Sequence, residues 1–359
     1  MESSQTGKCR IVGGVDTHKD LHVAAVVDLN DHVLDTKSFA TTRQGYKQLL
    51  NWMRVFGDVT CVGVECTGSY GAGLLRYLQM SGVHVLEVTA PDRQDRRRRG
   101  KDDDLDAQNA AHAAFRGIRC VTPRTRDGMV ESLRVIKACR KTAVSARRVA
   151  LQMIHNTIIC APDILREQLR SMTRMQLIRT LAAWRPDLTA YRNVEAAYRI
   201  ALKFLARRFV ELHDEIADYD VIIEALVKEL APELVARNSI GSNGAAQLII
   251  TAGDNPERLK SEAAFAALCG VSPVPASSGK TVRHRINRGG DRAANSALHI
   301  IAIGRLRTDA KTKTYVAKRV AEGHSKLDAI RALKRYIARE AYGIISRRQK
   351  EINAVQFAA

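Results

Sequence analysis

The 359-residue sequence has no uncharged apolar run approaching the roughly 18 to 20 residues a membrane helix requires, so no membrane partner is expected. Its opening MESSQTGKCR carries no apolar stretch after its charges, and no secretory leader is expected. None of the seven cysteines (Cys9, Cys61, Cys66, Cys120, Cys139, Cys160, Cys269) stands in a Cys-x-x-Cys, and their number is odd. That usage fits a reducing compartment, offers no zinc-site spacing and points to the cytoplasm. Internal repeats and low-complexity tracts are absent too. Acids are scarce: 38 Asp plus Glu stand against 57 Lys plus Arg, a formal net charge of +19. A surplus of that size calls for a polyanionic partner, because lysine and arginine release condensed counterions on contact with phosphates.

What is present is a globular chain, 45% hydrophobic and long enough for two or three domains. Residues 9–120 read as an α/β domain with a mixed sheet. CRIVGGVD, HVAAVVDL and, after an Asn30-Asp31 turn, VLDTKSFA are three early strands. A helix through YKQLLNWMRVF, the strand VTCVGVEC, a helix closed by Gly82, the strand VHVLEVTAP and an alanine-rich helix ending at Gly117 follow. Residues 129–236 are almost entirely helical, with corners at Pro162 and Pro186. Leu205, Phe209, Leu212, Ile216, Tyr219, Ile223, Leu226 and Leu230 alternate in steps of four and three, a coiled-coil seam suited to a spacer or a subunit interface. Residues 237–350 are mainly helical around one unusual segment, GVSPVPASSGKTVRHRINRGGDR. From Lys280 to Lys350 there are 19 Lys plus Arg and five acids, so this domain is expected to touch phosphate.

Four acids stand at informative places. Asp16 ends the first strand, Glu65 ends a later one, and Asp103 and Asp106 lie three apart on the alanine-rich helix. Taken singly, each is an ordinary cap or solvated charge. Together, at two strand ends and on one helical face, they can converge on Mg²⁺, which prefers carboxylate oxygen and keeps waters for substrate phosphate. Spacing alone leaves Asp102 open as well, since Asp102 and Asp106 would share a face as an i, i+4 pair. Arg96, Arg97, Arg98 and Arg99 run directly before that helix and suit contact with a nucleic-acid backbone. Ser278 precedes Gly279, which lets a backbone approach a phosphate closely; Lys280, Arg283, Arg285, Arg288 and Arg292 could hold that phosphate. A serine needs activation, and His284 is the one nearby base. Gly289-Gly290 is a weak phosphate-loop signal.

VDTHKD, ECTGSY and GKDDDLDAQNAA resemble the RuvC-like (RNase H-like) domain of the DEDD transposases of the insertion-sequence-110 family, the bridge-RNA-guided serine recombinases. The family pattern Lys-Thr-Asp-x-x-Asp-Ala aligns with Lys101, Asp103, Asp106 and Ala107, choosing Asp103 and leaving Asp102 in the place of the usual threonine. IGSNGAAQLIITAGD, FAALCGVSPVPASSGKTVRHRINRGGDRAANSALHIIA and KLDAIRALKRYIAREAYGII resemble the family's second domain, in which Pro273, Ser278 and Gly279 match. The resemblance implies that Ser278 is the nucleophile, with Ser277 the fallback, and that it joins Asp16, Glu65, Asp103, Asp106 and Mg²⁺ in a composite site. It also implies donor and target DNA and a guide (bridge) RNA as partners, and a homodimer or homotetramer. Two other classes stay open from the residues: a RuvC-type hydrolytic structure-specific nuclease, in which water attacks, and a non-catalytic RNA-binding scaffold.

Overall fold

A computed structural model describes residues 9–89, 102–126, 128–255, 258–279 and 284–358. The chain divides into two units: Met1–Gly128 with Asp254–Lys260, and Met129–Gly253 with Ser261–Ala359.

The first unit is built on a six-stranded mixed sheet, as expected. Strands β1 (Arg10–Thr17), β2 (Leu21–Val27) and β3 (Val33–Ala40) form an antiparallel meander. Its second turn places Asp31 at φ 66°, a left-handed conformation that aspartate tolerates better than most residues. Helix α1 (Arg43–Phe56) opens at Thr42, whose hydroxyl accepts from the Gly45 N–H, and returns the chain to β4 (Asp58–Glu65), parallel to β1. Helix α2 (Ala72–Met80) leads to β5 (Val85–Val88), parallel to β4. Helix α3 (Asp103–Arg116) ends at Gly117 in the left-handed conformation. The two-residue strand β6 (Cys120–Val121), which the sequence does not announce, then pairs antiparallel with β5. The sheet order is β3-β2-β1-β4-β5-β6.

Strand alternation splits the core. One face (Ile11, Val15, Ala24, Val26) packs under α1 and α2 against Leu49, Leu50, Met53, Leu74, Leu75 and Leu78. Each of those buried leucines contributes roughly 2 kcal/mol. The other face receives α3. Here glycine and alanine set the spacing: a Cβ on Gly14 would lie 2.0 Å from the Ala111 nitrogen, and one on Gly63 2.6 Å from the Ala110 oxygen. Ala107, Ala110, Ala111 and Ala114 are the helix's buried side. Small residues on both partners let α3 lie directly on the strands.

Among the described residues the second unit is helical apart from one hairpin. Helices α4 (Met129–Ile159), α5 (Asp163–Arg170), α6 (Arg174–Ala183), α7 (Val194–Leu230) and α8 (Pro232–Val235) come first. Helices α9 (Ser242–Ala252), α10 (Glu262–Leu268), α11 (Arg292–Thr308), α12 (Ala310–Ala321) and α13 (Lys326–Ala358) follow. Helices α4 and α7 run antiparallel, since Arg140 pairs with Asp220, Arg147 with His213, and the Tyr198 hydroxyl donates to the Cys160 carbonyl. Every residue of the 205–230 seam is buried or half-buried, and the seam is covered by α4 of the same chain. As a subunit interface, therefore, that stripe is already occupied within the chain. Lys137 of α4 donates to the Asn243 carbonyl, and Asn243 donates to Asp220, tying α4, α7 and α9 together. The unusual C-terminal segment is partly a hairpin, β7 (Val274–Pro275) with β8 (His284–Arg285), a pairing the sequence does not announce.

Candidate active site

The acids converge at one end of the sheet. Parallel pairing of Val15 with Val64 continues so that Asp16 and Glu65, ending β1 and β4, stand side by side on the face that receives α3. Ligands bind at this carboxyl end in open α/β sheets. Asp16, Glu65 and Asp106 are 7%, 5% and 5% exposed, which is unusual for carboxylates and marks a site built to hold charge away from water. The residue after Glu65, Cys66, has φ 48°, and the turn it starts is closed by bonds from Ser69 and Gly71 N–H to its carbonyl. Thr17 Oγ1 donates to the Glu65 carbonyl, locking the two strand ends.

Helix α3 delivers the other acids. Asp102 is its N-cap: extended (φ −142°, ψ 128°), it accepts from the Asp104 N–H with its own carboxylate. Asp103 is the first helical residue and points to the site, 3.4 Å from His18 Nε2. Of the alternatives the spacing leaves open, Asp103 is thus the acid at the cluster and Asp102 the cap. His18 Nε2 is also 3.0 Å from Asp16 Oδ2, and ligand atoms of Asp16, His18 and Asp103 all lie within 4.8 Å of one another. Burial pushes the Asp16 carboxyl above its ordinary range, His18 pulls it down, and the charges of Asp106 and Asp103 push it up again. A divalent cation would relieve this crowding, and two carboxylates with an imidazole nitrogen within that span fit one. His18 is the site residue the sequence reading passes over. Its signal is its position: two residues beyond Asp16, it keeps the same parity along the strand.

Glu65 also opens into a cleft of about 210 Å³ walled by Asn109, His112, Arg116 and Arg119. Two of those walls are fixed from below: His112 Nδ1 lies 2.5 Å from Asp31 Oδ1, and Arg116 pairs with the other Asp31 oxygen. That contact holds the Asp31 carboxyl below its ordinary range.

Ser278 belongs to the second unit. It is exposed in the β7–β8 connection, followed by Gly279 at φ 55° with open space around its α-carbon. Arg285, Arg288 and Arg292 are exposed as well. Arg285 and Arg288 line a cavity of about 830 Å³ together with His284 and Arg331, the last paired to Asp328. Lys280, Arg283 and the run Arg96 to Arg99 lie outside the described residues. The glycine pair has a packing role: a Cβ on Gly290 would lie 2.5 Å from the Leu268 carbonyl, and the Asp291 N–H donates to that same carbonyl. Asp291 then caps α11.

Residues 13–158 match the transposase family model DEDD_Tnp_IS110, and residues 234–317 match the model of the transposase IS116/IS110/IS902 family. The chain belongs to the IS110 family of transposases. The first match contains Asp16, Glu65, Asp103 and Asp106, and the second contains Ser278. A relative from Streptomyces coelicolor, named "Insertion element IS110 uncharacterized 43.6 kDa protein", is 27% identical over 139 residues, 38% of this chain. The chain spans about a third of that relative's length (34%). The mixed sheet with its acidic end fits the RuvC-like fold expected of an IS110 transposase. Among the described residues no helix is long and apolar enough to cross a membrane.

Proposed function

We propose that this chain is a transposase that cuts and rejoins DNA through a phosphoserine intermediate on Ser278, with Asp16, Glu65, Asp103 and Asp106 holding Mg²⁺ at the same phosphate. The observation that supports the reading is the approach of Asp16, His18 and Asp103, with Asp106 near enough to raise the Asp16 carboxyl and Glu65 ending the neighbouring parallel strand. Ser278 Oγ attacks the DNA phosphorus, the bond to one bridging oxygen breaks, and that oxygen leaves as a hydroxyl after taking a proton. A DNA hydroxyl then attacks the phosphoserine, and the serine is released with the phosphodiester restored. Bound Mg²⁺ supplies Lewis-acid stabilisation of the charge that develops on the phosphate. Gly279 gives the backbone room beside that phosphate, and Arg285, Arg288 and Arg292 supply positive charge to hold it.

In this reading residues 9–120 are the metal-binding domain, 129–236 a helical spacer and 237–350 the serine-bearing domain. An element-encoded guide RNA pairs with donor and target DNA, and the basic residues, including Arg96 to Arg99, Lys280 and Arg283, contact nucleic-acid backbone. Exchange between two duplexes requires several strand cleavages, which calls for a homodimer or homotetramer, acting in the cytoplasm. The test is incubation of protein, Mg²⁺, guide RNA and labelled duplexes, followed by denaturing electrophoresis. A protein–DNA adduct lost in both Ser278→Ala and Asp16→Ala is the expected result. Cleaved DNA with no adduct would assign a hydrolytic nuclease instead.

A further inference from the structure

Away from the acids and the serine, the second unit holds a cavity of about 300 Å³ where α4, α6 and α7 meet. Arg147 and Arg148 of α4, Arg174 of α6 and His213 of α7 surround it, and no carboxylate lines it. Arg140, Arg166, Arg199 and Arg207 each pair with an acid, whereas among the described residues Arg147, Arg148 and Arg174 pair with none. Arg147 instead donates to His213 Nδ1 at 2.7 Å and lies 5.8 Å above the Phe209 ring, which in turn stacks on His213. The donation makes His213 an acceptor at Nδ1, so its other nitrogen carries the proton. Below these donors the floor is apolar: Val144, Leu151, Met175 and the buried Phe209.

Three guanidiniums gathered without a counter-charge repel one another, and the arrangement gains from an anion that all of them can reach. Planar guanidiniums match phosphate, and an apolar floor beneath them suits the sugar joined to it. Free phosphate would use the donors and leave the floor bare. We infer that the α4–α6–α7 cavity is a nucleic-acid backbone subsite, seating a phosphodiester on Arg147, Arg148 and Arg174 with the attached sugar against the apolar floor. The inference shares with the proposed function only the assumption of a nucleic-acid partner.

The test is equilibrium binding of fluorescein-labelled single-stranded RNA, single-stranded DNA of the same sequence, and duplex DNA to the full chain, without Mg²⁺, across a salt series. Arg147→Gln, Arg148→Gln and Arg174→Gln together should weaken binding of at least one probe about tenfold or more at physiological salt. The log–log salt slope should fall by about 0.7, as the loss of one single-strand phosphate contact predicts. A charge-matched control, Arg166→Gln, Arg207→Gln and Lys228→Gln, removes three cations already paired with acids and should have much less effect. Which probe loses affinity identifies the strand, and either answer supports the subsite. Arg174→Gln alone, an exposed change in the first turn of α6, should weaken the same probe by a smaller factor and guards against misfolding of the triple variant. Equal behaviour of the pocket and control variants, or inorganic phosphate binding with no change for any oligonucleotide, would overturn the inference. Strand exchange that fails while the pocket variant still loses binding would count against the transposase reading and leave the subsite standing.

Discussion

Gly14→Ala should dismantle the candidate metal site without touching any of its acids. The added Cβ would lie 2.0 Å from the Ala111 nitrogen and 2.4 Å from the Ala107 carbonyl oxygen, both backbone atoms of α3. Ordinary contact begins at 3.4 Å, so the helix must retreat by about 1.4 Å. Overpacking of this kind costs about 1–3 kcal/mol, and a clash with backbone at both atoms places it toward the upper end. The retreat carries Asp103 and Asp106 with it, opening the 3.4 Å contact between His18 and Asp103 toward 5 Å, about the present distance plus the retreat. Metal affinity should fall about ten- to hundredfold, the range for disturbing groups that orient ligands. The neighbouring Gly13→Ala is the control. Its Cβ points to the opposite face and meets the flexible end of Met53 and, at 3.3 Å, a methyl of Val62, so stability should drop modestly while the site is undisturbed. Calorimetric titration with Mn²⁺ and a thermal melt of each variant decide the matter. A Gly14→Ala protein with wild-type melting and Mn²⁺ affinity would show that α3 does not set the site by close packing.

Asp102→Ala should cost about 1 kcal/mol through loss of the α3 cap yet leave Mn²⁺ affinity near wild type, whereas Asp103→Ala should abolish tight binding with little loss of stability. The reverse pattern in the same titrations would exchange their roles. His22 is fully buried and stacks on Tyr46, and among the described residues neither ring nitrogen has a hydrogen-bond partner; burial pushes it from 6.5 down to about 4. The unfolded state therefore binds the extra proton between those values, so the stability is whole above pH 6.5 and is lost as pH falls toward 4, by about 3 kcal/mol. His22→Phe should remove that slope from urea melts; an unchanged slope would place the acid sensitivity elsewhere. Gly343→Ala, on the exposed side of α13 with nothing within 4 Å of its Cβ, should stabilise by about 0.5–1 kcal/mol in a thermal melt, and a destabilised variant would contradict the open surroundings. Cys269, buried and pushed up to about 12, should resist a thiol reagent that labels exposed Cys9, Cys139 and Cys160; rapid native-state labelling would refute its burial.

The first five strands and three helices of the α/β unit are legible because each signal is local. Alternating apolar runs make the meander, and Gly82 and Gly117 adopt the positive φ that ends a helix. Strand β6 and the β7–β8 hairpin are not legible: each strand is two residues long, and only tertiary pairing makes them strands. The heptad seam of α7 is legible as a stripe, but a stripe does not name its partner. Its partner, α4, buries Leu133, Ala143, Ala150, Ile154 and Ile158, whose steps of ten, seven, four and four hide it from a heptad search.

The acidic site shows the same boundary at finer scale. Three consecutive aspartates precede Leu105, and spacing allows either Asp102 or Asp103 to share a face with Asp106. What separates them is where the helix begins, which rests on a backbone angle. Asp102 is extended, so it has left the helical face, and its carboxylate is taken up by the Asp104 N–H. Asp103, one residue on, is helical and reaches His18. His18 is hidden for a related reason: a histidine two residues past a strand-end acid is ordinary until α3 arrives above it. Gly14 and Gly63 decide how near that helix can come. The acids thus stand in the sequence, but which of them meet is decided by where α3 begins and by how near two glycines let it come to the strands.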